Sequence, residues 1–65
     1  MMTAAELDER IRSTIADLCA DRLVEAGRLR EVAARLRGDG RDRLYRMADE
    51  LERGARERLS FLAAR

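Results

Sequence analysis

Histidine, lysine, proline and tryptophan are absent from this chain, and it holds one cysteine, one tyrosine and one phenylalanine. Without histidine there is no side chain that ordinarily titrates near neutrality, and the commonest metal ligand is missing. Without lysine there is no Schiff-base amine and no phosphate-loop lysine, so the glycines at 38 and 40 do not make a phosphate cradle. A single thiol, Cys19, excludes an internal disulfide and a cysteine-based zinc site. The Glu-x-x-His pair of a bundle di-metal centre is also missing. No catalytic, cofactor or metal site is expected. No apolar run approaches the ~18 residues of a membrane span, and Met1 to Ala5 leads directly into charged residues, so neither a membrane helix nor a signal peptide is expected and the cytoplasm is the default location.

What is present is charge and small aliphatic bulk: 42% of residues are charged and 46% hydrophobic. All 14 basic residues are arginine, a bias that a GC-rich, bacterial genome produces without functional cause. Sixty-five residues form one small domain, residues 1–65, and a chain this short buries little apolar surface by itself. With disulfide and metal excluded, stability is expected to come from oligomerisation or from docking on another protein.

Thr3-Ala4-Ala5-Glu6 reads as a capping box, with Met2 and Leu7 at the positions of a hydrophobic staple. Acidic residues follow at the start of this helix, while Arg35 and Arg37 suit its C-terminal end. Gly38-Asp39-Gly40 then supplies a reversal, Gly38 ending one helix and Asp39 capping the next. The expectation is an all-α helical hairpin: a long helix 1 over about 3–37, a turn at 38–40, and a shorter helix 2 over about 41–63. Gly27 is compatible with a continuous packed helix and with a break that would give a three-helix domain.

At about 100° per residue, a broad apolar arc on helix 1 takes in Leu7, Ile11, Ile15, Leu18, Cys19 and Ala26, and continues to Leu36; Leu23 widens one flank. Cys19 on that arc reads as a buried small hydrophobe, with an intermolecular disulfide or a redox role as the alternative. The helix 2 stripe runs from Leu44 to Leu62, includes Phe61, has Tyr45 at its edge and is interrupted by Arg58. Such arcs exceed what one antiparallel partner covers. The length difference leaves an overhang of about ten residues, carrying Leu7 and Ile11. A two-fold dimer forming a four-helix bundle would cover both. The expected partner interface is Leu7, Ile11, Ile15, Leu18, Leu23, Tyr45 and Phe61.

Two charges interrupt the arc at its middle, Arg22 and Glu25. In the hairpin register Arg22 falls near Gly54 and Ala55, where small side chains leave room for a guanidinium, and Arg58 lies close enough to join. A buried charge cluster of Arg22, Glu25 and Arg58 that fixes register is one reading; exposure through a different helix rotation and a ligand-binding role are the others.

Residues 28–46 carry seven arginines against three acids, a local charge of +4. Overlapping this segment, EVAARLRGDGRDRLYRM, Glu31 to Met47, resembles the DNA-binding helix–turn–helix of small regulators. Arg37 is an extra residue before the turn glycine, and Asp39 stands where the motif has a buried apolar side chain. The resemblance implies nucleic-acid contact through Arg41, Arg43 and Arg46, with Arg37 beside them. The sequence therefore points first to a non-catalytic interaction module, a homodimer or part of a hetero-assembly, and second to a DNA-binding regulator, with no membrane partner.

Overall fold

The computed structural model describes residues 1–64. Among these the chain forms two helices, α1 (Ala4–Ala33) and α2 (Asp39–Ala63), joined by residues 34–38. The hairpin measures 54 × 21 × 11 Å over its Cα atoms. Helices of 30 and 25 residues are about 45 and 37 Å long at 1.5 Å per residue, so both must lie along the long dimension, side by side and antiparallel.

Helix α1 starts where the sequence places it, because the start is local chemistry. Thr3 has extended backbone, and its hydroxyl accepts a 3.1 Å hydrogen bond from the Glu6 amide. The helix then runs unbroken through Gly27, where an added Cβ would meet nothing within 4 Å. Helix α1 stops four residues before the expected end. Ala34 closes an ordinary 3.0 Å helical bond to Arg30 O, but Arg35 and Leu36 donate to the carbonyls of Val32 and Ala33, the tighter three-residue pattern that ends a helix.

The turn is consequently 34–38 instead of 38–40, and Arg35 and Arg37 lie in it instead of ending α1. Gly38 is the N-cap of α2, with φ +73° and ψ −148°, a conformation essentially reserved for glycine. Asp39 makes no side-chain cap. It is the first helical residue, and with Asp42 it places negative charge on the first turn, where the helix dipole favours it. Leu36 reaches back toward Gly40, its Cδ1 3.9 Å from where a Cβ would stand. We expect Gly38→Ala to cost about 1–3 kcal/mol, because the added Cβ is strained at this φ although space is free. Gly27→Ala should instead stabilise by about 0.4–1 kcal/mol. Denaturant titration of the two variants checks both signs, and the same sign for both would contradict the assigned backbone.

The helices meet along a seam of small residues. Cys19, Ala26 and Ala33 recur every seven residues on α1, and Ala48 and Ala55 do the same on α2; all five are at most 1% exposed. Small side chains permit the short end of the usual 8–10 Å helix separation. They also bury little area. A compact 65-residue chain has a radius of gyration of about 11 Å, whereas this one has 15.7 Å. A compact monomer of 7.4 kDa exposes about 4,200 Å², whereas this one exposes 5423 Å². The hairpin alone leaves roughly 1,200 Å² more surface in water than its mass requires.

Candidate functional site

The seam divides the hairpin into two broad faces with different chemistry. On one side of it, α1 contributes the rows containing Ala16, Leu23 and Arg30, and α2 those containing Tyr45, Glu52 and Leu59. This face is closed by ion pairs: Arg30 Nη2 donates to Glu52 Oε2 at 2.6 Å and to Asp49 Oδ1 at 3.0 Å, while Arg56 holds Glu52 Oε1 at 2.9 Å. Glu52 is drawn below the ordinary carboxylate pKa, first by its bond from Arg56 and then by that from Arg30. Arg30 is raised by its bonds to Asp49 and Glu52.

The sign of the pH effect follows. A carboxylate held below its unfolded pKa stabilises the fold fully above that value and loses the stabilisation as pH falls through the lowered one. Arg30 stays charged throughout the working range, its stabilisation lying below its unfolded pKa. We expect Glu52→Gln to be less stable than the native chain at neutral pH, with the gap narrowing once pH falls below about 4.3. Urea denaturation at neutral and acid pH measures the gap, and an unchanged gap in acid would contradict the assignment.

The opposite face is apolar and open. Its half-buried inner row on α1 is Ile15, Arg22 and Leu29, beside Leu44 and Leu51 of α2, although Arg22 itself is exposed. Its outer rows carry Ile11, Leu18 and Val32 on α1 and Met47 and Phe61 on α2, with exposures of 51, 53, 47, 50 and 71%. At the open end Ile11 and Ile15 line a hollow with Phe61 and Leu62, bordered by Asp8, Arg12, Glu57 and Arg58. Because α1 ends early, Ile11 lies beside the end of α2 and not beyond it. Only the segment around Leu7, which borders a hollow lined by α1 alone, overhangs.

Several expected site residues are placed differently. Leu23 and Tyr45 belong to the ion-paired face, in the same rows as Arg30 and Glu52, and are half-buried within the hairpin. The tyrosine ring takes the Arg41 guanidinium 5.6 Å from its centroid, within cation–π range. Arg22, Glu25 and Arg58 are not buried in the single chain: no charged residue is buried among the described residues. Glu25 pairs with Arg28 at 3.8 Å, not with Arg22. A glutamate N-terminal to its cation is the better orientation on a helix, which explains the choice. Arg22, Gly54 and Arg58 line one hollow, and a Cβ at Gly54 would meet only Arg58 Nη1, at 3.7 Å.

Cys19 is free and buried in the seam, where it fills the place of one more alanine. Arg37, Arg41, Arg43 and Arg46 are all exposed around the turn. The resemblance to a helix–turn–helix does not extend to geometry, since that motif crosses its helices at about 90–120° and this hairpin lays them antiparallel. Among the described residues no cluster of three or more histidine, cysteine, aspartate or glutamate could hold a metal ion, and no helix is long and apolar enough to cross a membrane.

Sequence reasoning missed the Arg30, Asp49 and Glu52 cluster. Glu52 and Arg56 are spaced as a helical ion pair, but nothing in the sequence ties them to a residue some twenty positions earlier. No family model, curated protein or solved structure matches the chain.

Proposed function

We propose that this protein is a small non-catalytic protein–protein interaction module, a regulator, adaptor or small subunit, that acts as a helical-bundle oligomer through its apolar broad face. The observation that carries the reading is the asymmetry of the two faces. One is satisfied by its own ion pairs, while the other leaves Ile11, Leu18, Val32, Met47 and Phe61 about half or more exposed on a hairpin with roughly 1,200 Å² of surplus surface. A stable interface needs about 600–1,000 Å² from each partner. The surplus is more than that amount.

A second reading, nucleic-acid contact at the turn, is favoured by four arginines there, Arg37, Arg41, Arg43 and Arg46, that are exposed and hold no ion pair among the described residues. Fluorescence anisotropy separates the two. A trace of labelled chain titrated with unlabelled chain should saturate in the micromolar range or below. A labelled DNA duplex should show no affinity that falls steeply with salt. Salt-sensitive duplex binding lost in Arg43→Glu, with no self-association, would replace the first reading by the second.

A further inference from the structure

We propose that the apolar face is closed by a second copy of this chain running in the opposite direction, about a two-fold axis that crosses α1 between Leu23 and Val24. The proposal rests on the interaction-module reading. It adds the orientation, the register and a role for the charges that interrupt the face.

Helix α1 is a chemical palindrome on its open face. The open face follows alternating steps of four and three residues from Ile11 to Leu36, which is the heptad seam of a coiled coil. In an antiparallel pair, residues equally far from the axis on its two sides meet across it. With the axis between Leu23 and Val24, Arg22 meets the partner's Glu25, and Glu25 the partner's Arg22. Outward from the centre, Leu18 meets the partner's Leu29 and Ile15 meets the partner's Val32. Beyond the end of α1, Ile11 approaches the partner's Leu36. Every apolar side chain finds an apolar one, and the charges find each other twice.

Neighbouring registers lose this match. Moving the axis by half a heptad sets Arg22 against Val32 and Glu25 against Leu29, or Arg22 against Leu18 and Glu25 against Ile15. A two-fold along the hairpin instead lays α1 over the partner's α2, which brings Arg22 to the level of Gly54 and Arg58 and gathers four arginines. The like charges oppose that arrangement.

Helix α2 fits the same axis. Arg22 shares its hollow with Gly54, so the axis crosses α2 near Leu51 and Gly54. There Leu51 meets the space left by the partner's Gly54, Met47 meets the aliphatic stem of Arg58, and Leu44 meets Phe61. The monomer leaves the central charges available: Arg22 has no ion pair among the described residues, and Glu25 has only the 3.8 Å contact with Arg28, whose side chain is 71% exposed.

The test uses the full chain carrying Cys19→Ala and Arg37→Cys with a nitroxide label, because the turns report orientation. Opposed copies put the two labels roughly 40 Å apart at 1.5 Å per residue. Copies lying the same way put them within about 20 Å, close to the helix spacing plus label arms. In the native Cys19 background, Arg22→Glu and Glu25→Arg should each weaken self-association on the order of a hundredfold, and the double variant should restore it to within a few-fold. A short label distance overturns the orientation, and charge variants without effect overturn the register; in both cases a dimer dispersed by Leu18→Asp leaves the interaction-module reading standing. A chain that stays monomeric at all concentrations overturns the proposal and the oligomer together.

Discussion

If the apolar face is the self-association surface proposed above, Leu18→Asp is expected to leave the protein a monomer. Leu18 is 53% exposed in the single hairpin, so an aspartate there costs the hairpin itself little. In the proposed bundle the same side chain would be covered. Each copy then loses about 1.5–3 kcal/mol of leucine burial and places an unpaired carboxylate in an apolar contact. Counted over two copies, a weakening of roughly 5 kcal/mol or more raises the dissociation constant by about 10⁴. Ala20→Asp is the control, since Ala20 is exposed and lies on the other side of the seam. Light scattering coupled to size exclusion reads the mass of each variant. Native-like mass for Leu18→Asp would mean that the apolar face is not the interface.

Ala26→Leu should have the largest effect on folding. Ala26 is fully buried in the seam between the helices, and three further heavy atoms there must push the helices apart or distort both. Overpacking of this kind costs about 1–3 kcal/mol and occasionally more. A chain of this size has little more than about 3–5 kcal/mol to lose. The thermal midpoint should fall by about 10 °C or more, at roughly 4–8 °C per kcal/mol. Ala20→Leu makes the same change at an exposed position and should leave the midpoint nearly unmoved. Equal midpoints for the two variants, by circular dichroism, would show that the seam is not closely packed.

Those two substitutions separate what the sequence disclosed from what it concealed. The start of α1 was legible because a threonine cap is decided within four residues, and the two-helix architecture was legible because apolar periodicity persists on both sides of one glycine-rich stretch. The turn was displaced because Gly38 suits the end of one helix and the start of the next equally well. Here the acidic first turn of α2 and the return of Leu36 toward Gly40 accompany its use as the N-cap. The division of the apolar arc was not legible from periodicity. A helical wheel sets Leu18 and Cys19 on one arc, yet the hairpin buries the smaller one and leaves the larger uncovered. Side-chain size decided it: alanines and a cysteine at seven-residue intervals let two backbones approach, and the bulky rows are then displaced to the flank. The same rotation carried Leu23 and Tyr45 to the ion-paired face and left Arg22 and Glu25 in the middle of the open one.

Sedimentation equilibrium of the native chain, at several concentrations and at low and moderate salt, tests most directly whether the open face is a self-association surface. A species of about 15 kDa, twice the 7.4 kDa chain, that gives way to monomer only on dilution is the expected result. A mass of 7.4 kDa at every concentration would contradict it.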